Sequence, residues 1–328
     1  MSTPGRSMVE VQPFMPEALG GAAALLAERH RRHRLTEPLL DPAYEEPATA
    51  RAAIEAALAA DKASGFVAHR HGAVAGYLVG CEKSPSMWGA NVWVEAAGHA
   101  ATDPAILREL YAVAAAAWVA EGRKNHHVLV PATAAGLVDA WFSLDFGQQH
   151  VHAIREVPPA TFGVVPRSEL IVRRPTRADL DALADLELVL PTHMRGSPTF
   201  STLTVPDWNE TRDELAADFD DPKVNYFVAE HEGRVVGSAI GCALSVSSSH
   251  QGPNQTAGAG FLGFAAVLPE GRGLGAGRAL GETVLAWARD AGYTSVATDW
   301  RSANLEADGA WRALGFRPTF RRLHRLIG

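Results

Sequence analysis

The feature that most constrains this chain is a long internal repeat. Residues 66–80 match residues 227–241 at seven of 15 positions, with an offset of 161. Each stretch predicts a strand, a tight turn at Gly72 or Gly233, and a second strand. Two later matches follow in the same order at an offset of about 170 residues, pairing 117–122 with 286–292 and 141–147 with 311–317. A repeat of this length indicates a duplicated domain, because solenoid repeats are only about 20–50 residues long.

The two copies have the same predicted order of elements, so we expect two layered α/β (α+β) domains. A helical region precedes each hairpin, and a third strand, an amphipathic helix, a fourth strand and a closing helix follow. The predicted helices before the closing one cover residues 17–34, 48–62 and 104–121, then 177–190, 207–219 and 275–291. The third and fourth strands are expected at 91–95 and 127–130, then at 260–268 and 295–299. We predict domains at residues 1–157 and 168–328, divided by the proline-rich segment 158–166.

The composition excludes several classes of protein. The 328 residues are 47% hydrophobic and 20% charged, which is typical of a folded globular protein. No apolar run reaches the ~18 residues of a membrane span, and residues 1–8 lack the apolar core of a secretory signal. The net charge of −7 argues against a nucleic-acid partner. Cys81 and Cys242 are too few for a zinc site or a disulfide framework. Arginine far outnumbers lysine, as in GC-rich bacterial genomes, and a cytoplasmic bacterial protein is the default expectation. We also expect no membrane partner and no metal.

The strongest chemical signal is a glycine-rich turn in the second copy. An apolar strand ends near Pro269, turns through Gly273, Gly275 and Gly277, and opens a helix. Backbone N–H groups at a helix start bind phosphate, and glycine lets a ligand approach the backbone closely. The turn therefore predicts a site for a pyrophosphate-bearing ligand. An NAD enzyme of the Rossmann type stays open, because Asp299 follows at a suitable distance, although that glycine fingerprint belongs on the first strand of its domain.

At these residues the chain resembles the GCN5-related N-acetyltransferases. Arg272-x-x-Gly275-x-Gly277 is similar to the acyl-coenzyme A loop of that family, and residues 304–316 are similar to its N-x-x-A-x-x-F-Y-x-x-x-G-F segment. The resemblance covers about residues 170–320 with specific motifs and about 10–155 only through the repeat. It implies, in each domain, a mixed and mostly antiparallel sheet flanked by helices, whose fourth and fifth strands splay into a wedge. It also implies an acetyltransferase that transfers the acyl group of acetyl-coenzyme A, or another acyl-coenzyme A, directly to an amine of a small molecule.

The resemblance implies cofactor contacts residue by residue. The loop amides correspond to Arg272, Gly273, Leu274, Gly275, Ala276, Gly277 and Arg278, and the strand that polarises the thioester corresponds to Ala265, Ala266 and Val267. Asn304 corresponds to a cofactor-contacting asparagine, with an ordinary helix N-cap as the alternative. Trp311 stands where the family often has a tyrosine that protonates the leaving thiolate. An indole N–H lacks that acidity, so Trp311 cannot be a general acid.

No motif marks the base that would take the proton of the attacking amine. The candidates are Glu187 on the predicted helix 177–190, His250 in a polar run found only in the second copy, and Asp299 at the end of a strand. His193 and Arg195, in a predicted loop after that helix, are further candidates for the acceptor pocket. The polar run could cover the acceptor as a lid or be a mobile loop tip.

The first copy lacks the glycine turn. Residues 95–104 contain one glycine and no arginine, and Asp103 stands beside the helix start, where a carboxylate would repel a phosphate. We therefore expect the first copy to bind no coenzyme A. A non-catalytic acyl-coenzyme A sensor remains an alternative, because the strand 260–268 carries no carboxylate and Trp311 replaces the tyrosine. The acceptor amine and the choice between monomer and homodimer also stay open.

Overall fold

The computed structural model of the protein describes residues 9–159 and 170–328. The chain forms two compact units, and each unit takes a segment from the other half of the chain. The first unit comprises Met1–His150, Gln251–Gln255 and Pro318–Gly328, and the second comprises Val151–His250 and Thr256–Arg317. Most of the predicted boundary segment, 158–166, lies outside the described residues.

The two halves of the chain share most of their element order. The strands are β1 Glu10–Pro13, β2 Ser64–Arg70, β3 Ala73–Gly80, β4 Asn91–Val94, β5 His99–Ala101, β6 Asn125–Pro131, β7 Gly147–Glu156, β8 Ile171–Arg173, β9 Val224–His231, β10 Arg234–Ala243, β11 Ala259–Val267, β12 Ser295–Arg301 and β13 Arg317–Leu326. The helices are α1 Leu19–Thr36, α2 Pro47–Leu58, α3 Pro85–Trp88, α4 Pro104–Ala120, α5 Ala135–Phe142, α6 Leu180–Arg195, α7 Trp208–Asp218, α8 Ala276–Asp290 and α9 Leu305–Ala313. The first half has an additional helix, α3, and two short strands, β4 and β5, where the second half has β11. In the part of the chain that the structure describes, none of these helices has both the length and the apolarity needed to cross a bilayer.

The sequence prediction was wrong about how each half ends. A strand, β7 or β13, follows the closing helix in each half. These strands contain several histidines and arginines and few apolar residues, so the sequence gives a weak strand signal. Backbone hydrogen bonds to a neighbouring strand stabilise β13, which pairs antiparallel with β6 from Phe320–Pro131 to Leu326–Asn125.

The first unit has an antiparallel sheet in the order β1-β2-β3-β5, and β4 pairs in parallel with β6. One apolar core lies under α4, with Trp118 and Trp141 fully buried. A second core lies under α1 and α2, where Leu26 and Ile54 are fully buried.

The second unit has the strand order β7-β12-β11-β10-β9-β8, with antiparallel neighbours from β11 to β8. Helix α8 packs on one face of this sheet through a core that includes Leu280 and Val284. Helices α6 and α7 pack on the other face through Leu183 and Leu215. Strand β11 pairs in parallel with β12 only from Ala259–Ser295 to Leu262–Thr298, although β11 continues to Val267. The two strands therefore separate beyond Leu262, and the predicted wedge is confirmed.

The division of the units predicts how a fragment of residues 168–328 behaves. Val151 and Ala153 on β7 are each 1% exposed within the core under α8, and Val157 N–H donates to the Thr294 carbonyl at 3.1 Å. Removing this strand costs several kcal/mol, against a usual stability of ~5–15 kcal/mol. We expect the fragment to be unfolded or insoluble, measured by circular dichroism and size-exclusion chromatography. Residues 147–328, which retain β7, are the matched control. A soluble, monomeric 168–328 fragment that binds acetyl-coenzyme A would contradict this expectation.

Candidate active site

The glycine turn joins β11 to α8. Gly273 (φ 77°) and Gly275 (φ 79°) lie in the left-handed region, which residues with a Cβ rarely adopt. Gly275 is the N-cap of α8 and offers no side chain to the first turn. The Ala279 N–H donates to the Gly275 carbonyl at 3.0 Å, so the N–H groups of residues 276–278 have no partner within the helix. They are therefore free to bind an anion from the helix start.

A cavity of about 150 Å³ lies beside this turn, between the end of β11, the end of α6 and α9. Seven of the predicted cofactor residues line it, namely Ala265, Ala266, Val267, Arg272, Gly277, Asn304 and Trp311. The other five, Gly273, Leu274, Gly275, Ala276 and Arg278, lie on the turn and the first turn of α8 rather than in the cavity wall. Val189, Leu190, Glu306, Ala307 and Ala310 also line the cavity. Val189 and Leu190 had no signal in the sequence, because their α6 positions read as ordinary helix, whereas the other three lie within the segment 304–316 that resembles the family motif.

Asn304 begins α9. Its side-chain oxygen accepts a hydrogen bond from the Ala307 N–H at 3.2 Å, as the N-cap alternative requires, and its side-chain nitrogen lies 3.7 Å from the Met194 sulfur. Trp311, two helical turns further along α9, is 8% exposed and packs edge-to-face on Phe316. Both side chains border the cavity.

The two arginines of the turn already have carboxylate partners. Arg272 lies 3.4 Å from Glu306, and both side chains are about half exposed, so this pair contributes little to stability and can open for a ligand. Arg278 Nε donates to Glu282 at 2.7 Å, and the Glu282 side chain is only 1% exposed. Breaking that second pair would leave a buried charge, which is costly. Arg272 is therefore the better candidate for a mobile phosphate contact.

A bulge in β11 sets which side chains face α6. Phe261 pairs with Cys242 and Phe264 with Ile240, so Gly263 is the extra residue. Cys242 and Ile240 are two residues apart on β10, so their side chains share one face of the sheet. Their partners on β11, Phe261 and Phe264, therefore lie on that same face. Phe261 also pairs with Ala297 on β12, and Asp299, two residues later, shares that face.

Glu187 lies on the α6 side of the sheet, next to Tyr226. It is partly buried, and burial raises the pKa of its carboxyl group to about 7. Burial and, next, the Glu187 charge raise the pKa of Tyr226. The helical spacing places Glu187 on the same face as Leu190, which lines the cavity. In the first copy the corresponding residue, 161 positions earlier, is the fully buried Leu26. The second copy thus has a titratable carboxylate where the first copy packs a leucine.

His250 and Asp299 are brought together, although 49 residues separate them in the chain. His250 Nδ1 lies 3.7 Å from an Asp299 carboxylate oxygen and 2.9 Å from Ser247 Oγ. The other ring nitrogen of His250 lies 3.3 Å from His152 Nδ1. His250 is 2% exposed, so it is a packed residue rather than a mobile loop tip, and burial lowers its pKa to about 4. Its imidazole is therefore neutral at pH 7.

His152 was missed by sequence reasoning, because it lies on the unpredicted strand β7. One ligand atom each of His152, His250 and Asp299 lie within 4.8 Å of one another, a set that could hold a divalent cation. His193 lines the cavity beside the glycine turn, whereas Arg195 is exposed at the end of α6. Both were expected in a loop, but α6 continues through Pro191 to Arg195.

Comparison with known proteins places this site in a family. The family model described as "Acetyltransferase (GNAT) family" matches residues 192–316. The chain is 37% identical over 137 residues to aminoglycoside N(6')-acetyltransferase type 1 of Stenotrophomonas maltophilia, covering 38% of this chain and 90% of that protein. It is 35% identical over 94 residues to human N-acetyltransferase 8B, covering 29% of this chain and 39% of that protein. The crystal structure of a GCN5-related N-acetyltransferase from Sphaerobacter thermophilus superposes over 99% of this chain and 96% of that one, with a TM-score of 0.59 at 14% identity.

The chain therefore belongs to the acetyltransferase (GNAT) family and is a GNAT-type acetyltransferase built from two tandem GNAT-like domains. The Rossmann alternative is wrong. Its glycine turn would follow the first strand of a parallel sheet, whereas this turn follows β11, which pairs antiparallel with β10.

Proposed function

We propose that the second unit transfers the acetyl group of acetyl-coenzyme A to an amine of a small molecule. The observation that carries the proposal is the set of unpaired N–H groups at the start of α8, opening beside a cavity at the splayed end of β11. The residues fit the co-substrate. A side chain built on Gly273 would meet no atom within 4 Å, so the turn leaves room for a pyrophosphate. Residues 276–278 and Arg272 would hold it.

The chemistry follows from the groups on either side of the wedge. Beyond Leu262, β11 is no longer paired with β12 among the described residues. The backbone N–H and C=O groups of residues 264–267 that face β12 can therefore pair with pantetheine and with the thioester carbonyl. A backbone N–H aimed at that carbonyl stabilises the oxyanion that forms on attack. The amine nitrogen bonds to the carbonyl carbon as the carbon–sulfur bond breaks, and Glu187 takes the proton of the amine. The thiolate leaves without an acid, because its reference pKa is only ~8.5.

The acceptor in this proposal is a polyamine whose attacking nitrogen is neutral, so that it loses one proton to Glu187, and whose other amines are protonated. Glu187 and Asp299 lie on the same face of the sheet, and two carboxylates there attract a protonated amine. His250 and Ser247 would orient Asp299 toward the acceptor. The relative from Stenotrophomonas maltophilia is named for aminoglycosides, so this class of polyamine is the first to test. The transfer itself requires no metal.

Thiol release from acetyl-coenzyme A in the presence of an amine panel tests the transfer. The panel contains aminoglycosides, linear polyamines and amino acids, and mass spectrometry identifies the acetylated product. We expect turnover with at least one multiply charged amine. Binding of acetyl-coenzyme A without transfer to any amine would instead favour the sensor alternative, and no binding at millimolar concentration would refute both.

The first copy is expected to bind no coenzyme A. Leu78 and Ala239 are equivalent positions in the repeat. Leu78 pairs with His99, and Ala239 pairs with Ala265, so His99 is the equivalent of Ala265, which lines the cofactor cavity. His99 is fully buried, and its Nε2–H donates to the Leu129 carbonyl on β6 at 3.0 Å, which bridges the wedge of the first copy. At the helix start, the Asp103 carboxylate accepts from the Ala105 N–H at 2.9 Å and occupies the anion position.

This arrangement predicts one molecule of acetyl-coenzyme A per chain. Calorimetric titration of the full-length protein should give a stoichiometry near one, and a Gly277→Glu variant should give no measurable heat, because the second unit holds the only intact turn of the described chain. Two equivalents per chain in the wild type, with one equivalent remaining in the variant, would show that the first copy also binds the cofactor.

A further inference from the structure

Three side chains that can bind a metal ion meet in the second unit. His152 lies on β7, Asp299 on the neighbouring strand β12, and His250 in the segment between β10 and β11. One ligand atom of each residue lies within 4.8 Å of the ligand atoms of the other two. Both histidines are 2% exposed, whereas the Asp299 side chain is 18% exposed. The three residues therefore form a largely buried group that reaches solvent through its carboxylate.

The distance between the two histidines matches that of two ligands on one ion. His152 Nδ1 and His250 Nε2 are 3.3 Å apart. Two atoms that each lie ~2.0–2.1 Å from a tetrahedral zinc ion are about 3.4 Å from each other. An Asp299 carboxylate oxygen lies 3.7 Å from His250 Nδ1, which is too far for a hydrogen bond. Because Asp299 is the most exposed of the three, a shift of its side chain by about one ångström can bring it to ligand spacing.

His250 presents its two ring nitrogens to different partners. With the proton on Nδ1, Ser247 Oγ accepts a hydrogen bond at 2.9 Å, and the Nε2 lone pair faces His152. A histidine that binds a metal usually donates its other N–H in this way, which fixes the ring. Phe261 also packs edge-to-face against His250, with the ring centroids 5.1 Å apart. The imidazole is thus held in place with one nitrogen directed at the second histidine.

The first copy has no equivalent group. By the repeat offset of 170, Arg322 is the equivalent of His152, and Leu129 is the equivalent of Asp299. Arg322 on β13 pairs with Leu129 on β6. A guanidinium has no acceptor atom and leucine has no polar atom, so neither residue binds a metal ion. Among the residues that the structure describes, the group in the second unit is the only one of its kind.

We propose that His152, His250 and Asp299 bind one divalent transition-metal ion, for which zinc is the best match. Two imidazole nitrogens and one carboxylate oxygen suit zinc, whereas magnesium and calcium prefer oxygen ligands throughout. Three protein ligands leave the fourth tetrahedral position to water. Because the ligands come from two strands and a connecting segment, the ion would join three parts of the second unit and stabilise its fold.

The proposal is independent of acetyl transfer, which requires no metal. In the metal-free protein Asp299 stays available to the acceptor, as the proposed function requires. In the metal-bound protein Asp299 would be a ligand of the ion instead. The experiment therefore measures metal binding itself rather than activity.

Calorimetric titration of the chelator-treated, full-length protein with zinc tests the site. We expect one zinc ion per chain and a rise in Tm of several degrees at saturation. Asp299→Asn, which keeps the size of the side chain, and His152→Gln should each weaken zinc binding at least about 100-fold, more than the loss of an outer hydrogen-bond partner would. The matched control is His231→Gln, at the end of β9 and outside the group, which should bind zinc as tightly as the wild type. Magnesium should bind far more weakly than zinc.

Cobalt substitution provides a second measurement. Co²⁺ in a four-coordinate site gives visible absorption bands, which should appear in the wild type and in His231→Gln but not in Asp299→Asn. Because His152→Gln could fail to fold, the partly exposed Asp299 position keeps the test decisive. Acetyl-coenzyme A affinity, measured in parallel on the metal-free protein, reports on the transfer site alone, so failure of one site is distinguishable from failure of the other.

Three results would overturn the proposal. They are the absence of saturable zinc binding, equal binding of magnesium and zinc, and wild-type zinc affinity in Asp299→Asn. The last result would show that the zinc binds adventitiously to other histidines of the chain.

Discussion

Gly277→Glu is expected to weaken acetyl-coenzyme A binding at least about 100-fold while the protein remains folded. Gly277 lies in the first turn of α8 and in the wall of the cofactor cavity. A carboxylate about 4 Å from a phosphate charge costs ~4 kcal/mol at the effective dielectric constant near a protein surface. The helix itself should not suffer, because an acidic side chain in the first turn interacts favourably with the helix dipole and glycine is the poorer helix former.

The controls for this substitution separate charge from size. Gly277→Ala adds a Cβ at 3.6 Å from Val267, an ordinary contact, and should bind nearly as well as the wild type. Gly277→Gln has the size of glutamate without its charge and should fall between the two. Gly275→Glu is a less informative variant, because the left-handed backbone at Gly275 adds strain to the charge effect. Calorimetry and thermal unfolding measure the two properties, and wild-type affinity in Gly277→Glu would refute the placement of the pyrophosphate.

Glu187→Gln should lower kcat/KM by about 10²–10⁴-fold without changing the affinity for acetyl-coenzyme A, if Glu187 is the general base. The base must be ionised, and its pKa is about 7. Wild-type kcat/KM should therefore fall tenfold per pH unit below about pH 7, and the variant should lose this dependence. Glu214→Gln, at an exposed position on α7, is the matched control. A Glu187→Gln enzyme that keeps the acidic limb of the wild-type profile would rule out this assignment.

Glu187 is also expected to lower the free energy of unfolding at the pH where the enzyme works. The folded-state pKa of about 7 lies above the reference value of ~4.3 for an unfolded chain, so folding disfavours the ionised form. The loss of folding free energy from ionising Glu187 is absent below about pH 4, grows as the pH rises toward 7, and is complete above pH 7. Glu187→Leu, which introduces the residue of the first copy, should therefore raise the free energy of unfolding at pH 8 by an amount on the order of 2 kcal/mol, after allowance for partial exposure. Urea unfolding at pH 8 and pH 4.5 measures this, and an equal gain at both values would contradict it.

The glycine-rich turn was predictable from local sequence, since its conformation depends on consecutive residues. Glycines that adopt a left-handed backbone at residues 273 and 275, followed directly by an amphipathic helix, produce the same helix start in any compatible fold. The hairpins were predictable for the same reason, because strand alternation and a glycine turn are properties of neighbouring residues. The duplication followed from the repetition of these local patterns in the same order.

The spatial grouping of the candidate acceptor residues could not be predicted, because these residues are neighbours only in the folded chain. The sequence named Glu187 only as one of several candidate bases, and it is burial in the folded chain that raises the pKa of its carboxyl group. His152 and His250 are 98 residues apart, and β7 brings them together. The bulge at Gly263, which puts Phe261 and Phe264 on one face, is a property of strand pairing.

The sequence by itself determined the repeated order of elements, the glycine turn and the family to which the chain belongs. Only the tertiary structure decided that each unit includes a segment from the other half of the chain, that His99 bridges the wedge of the first copy, and that His152, His250 and Asp299 lie together. The physical reason is the range of the interactions. Turn conformation and helix starts depend on a few adjacent residues. The burial of charged groups and the pairing of strands from the two halves of the chain depend on contacts between residues far apart in sequence.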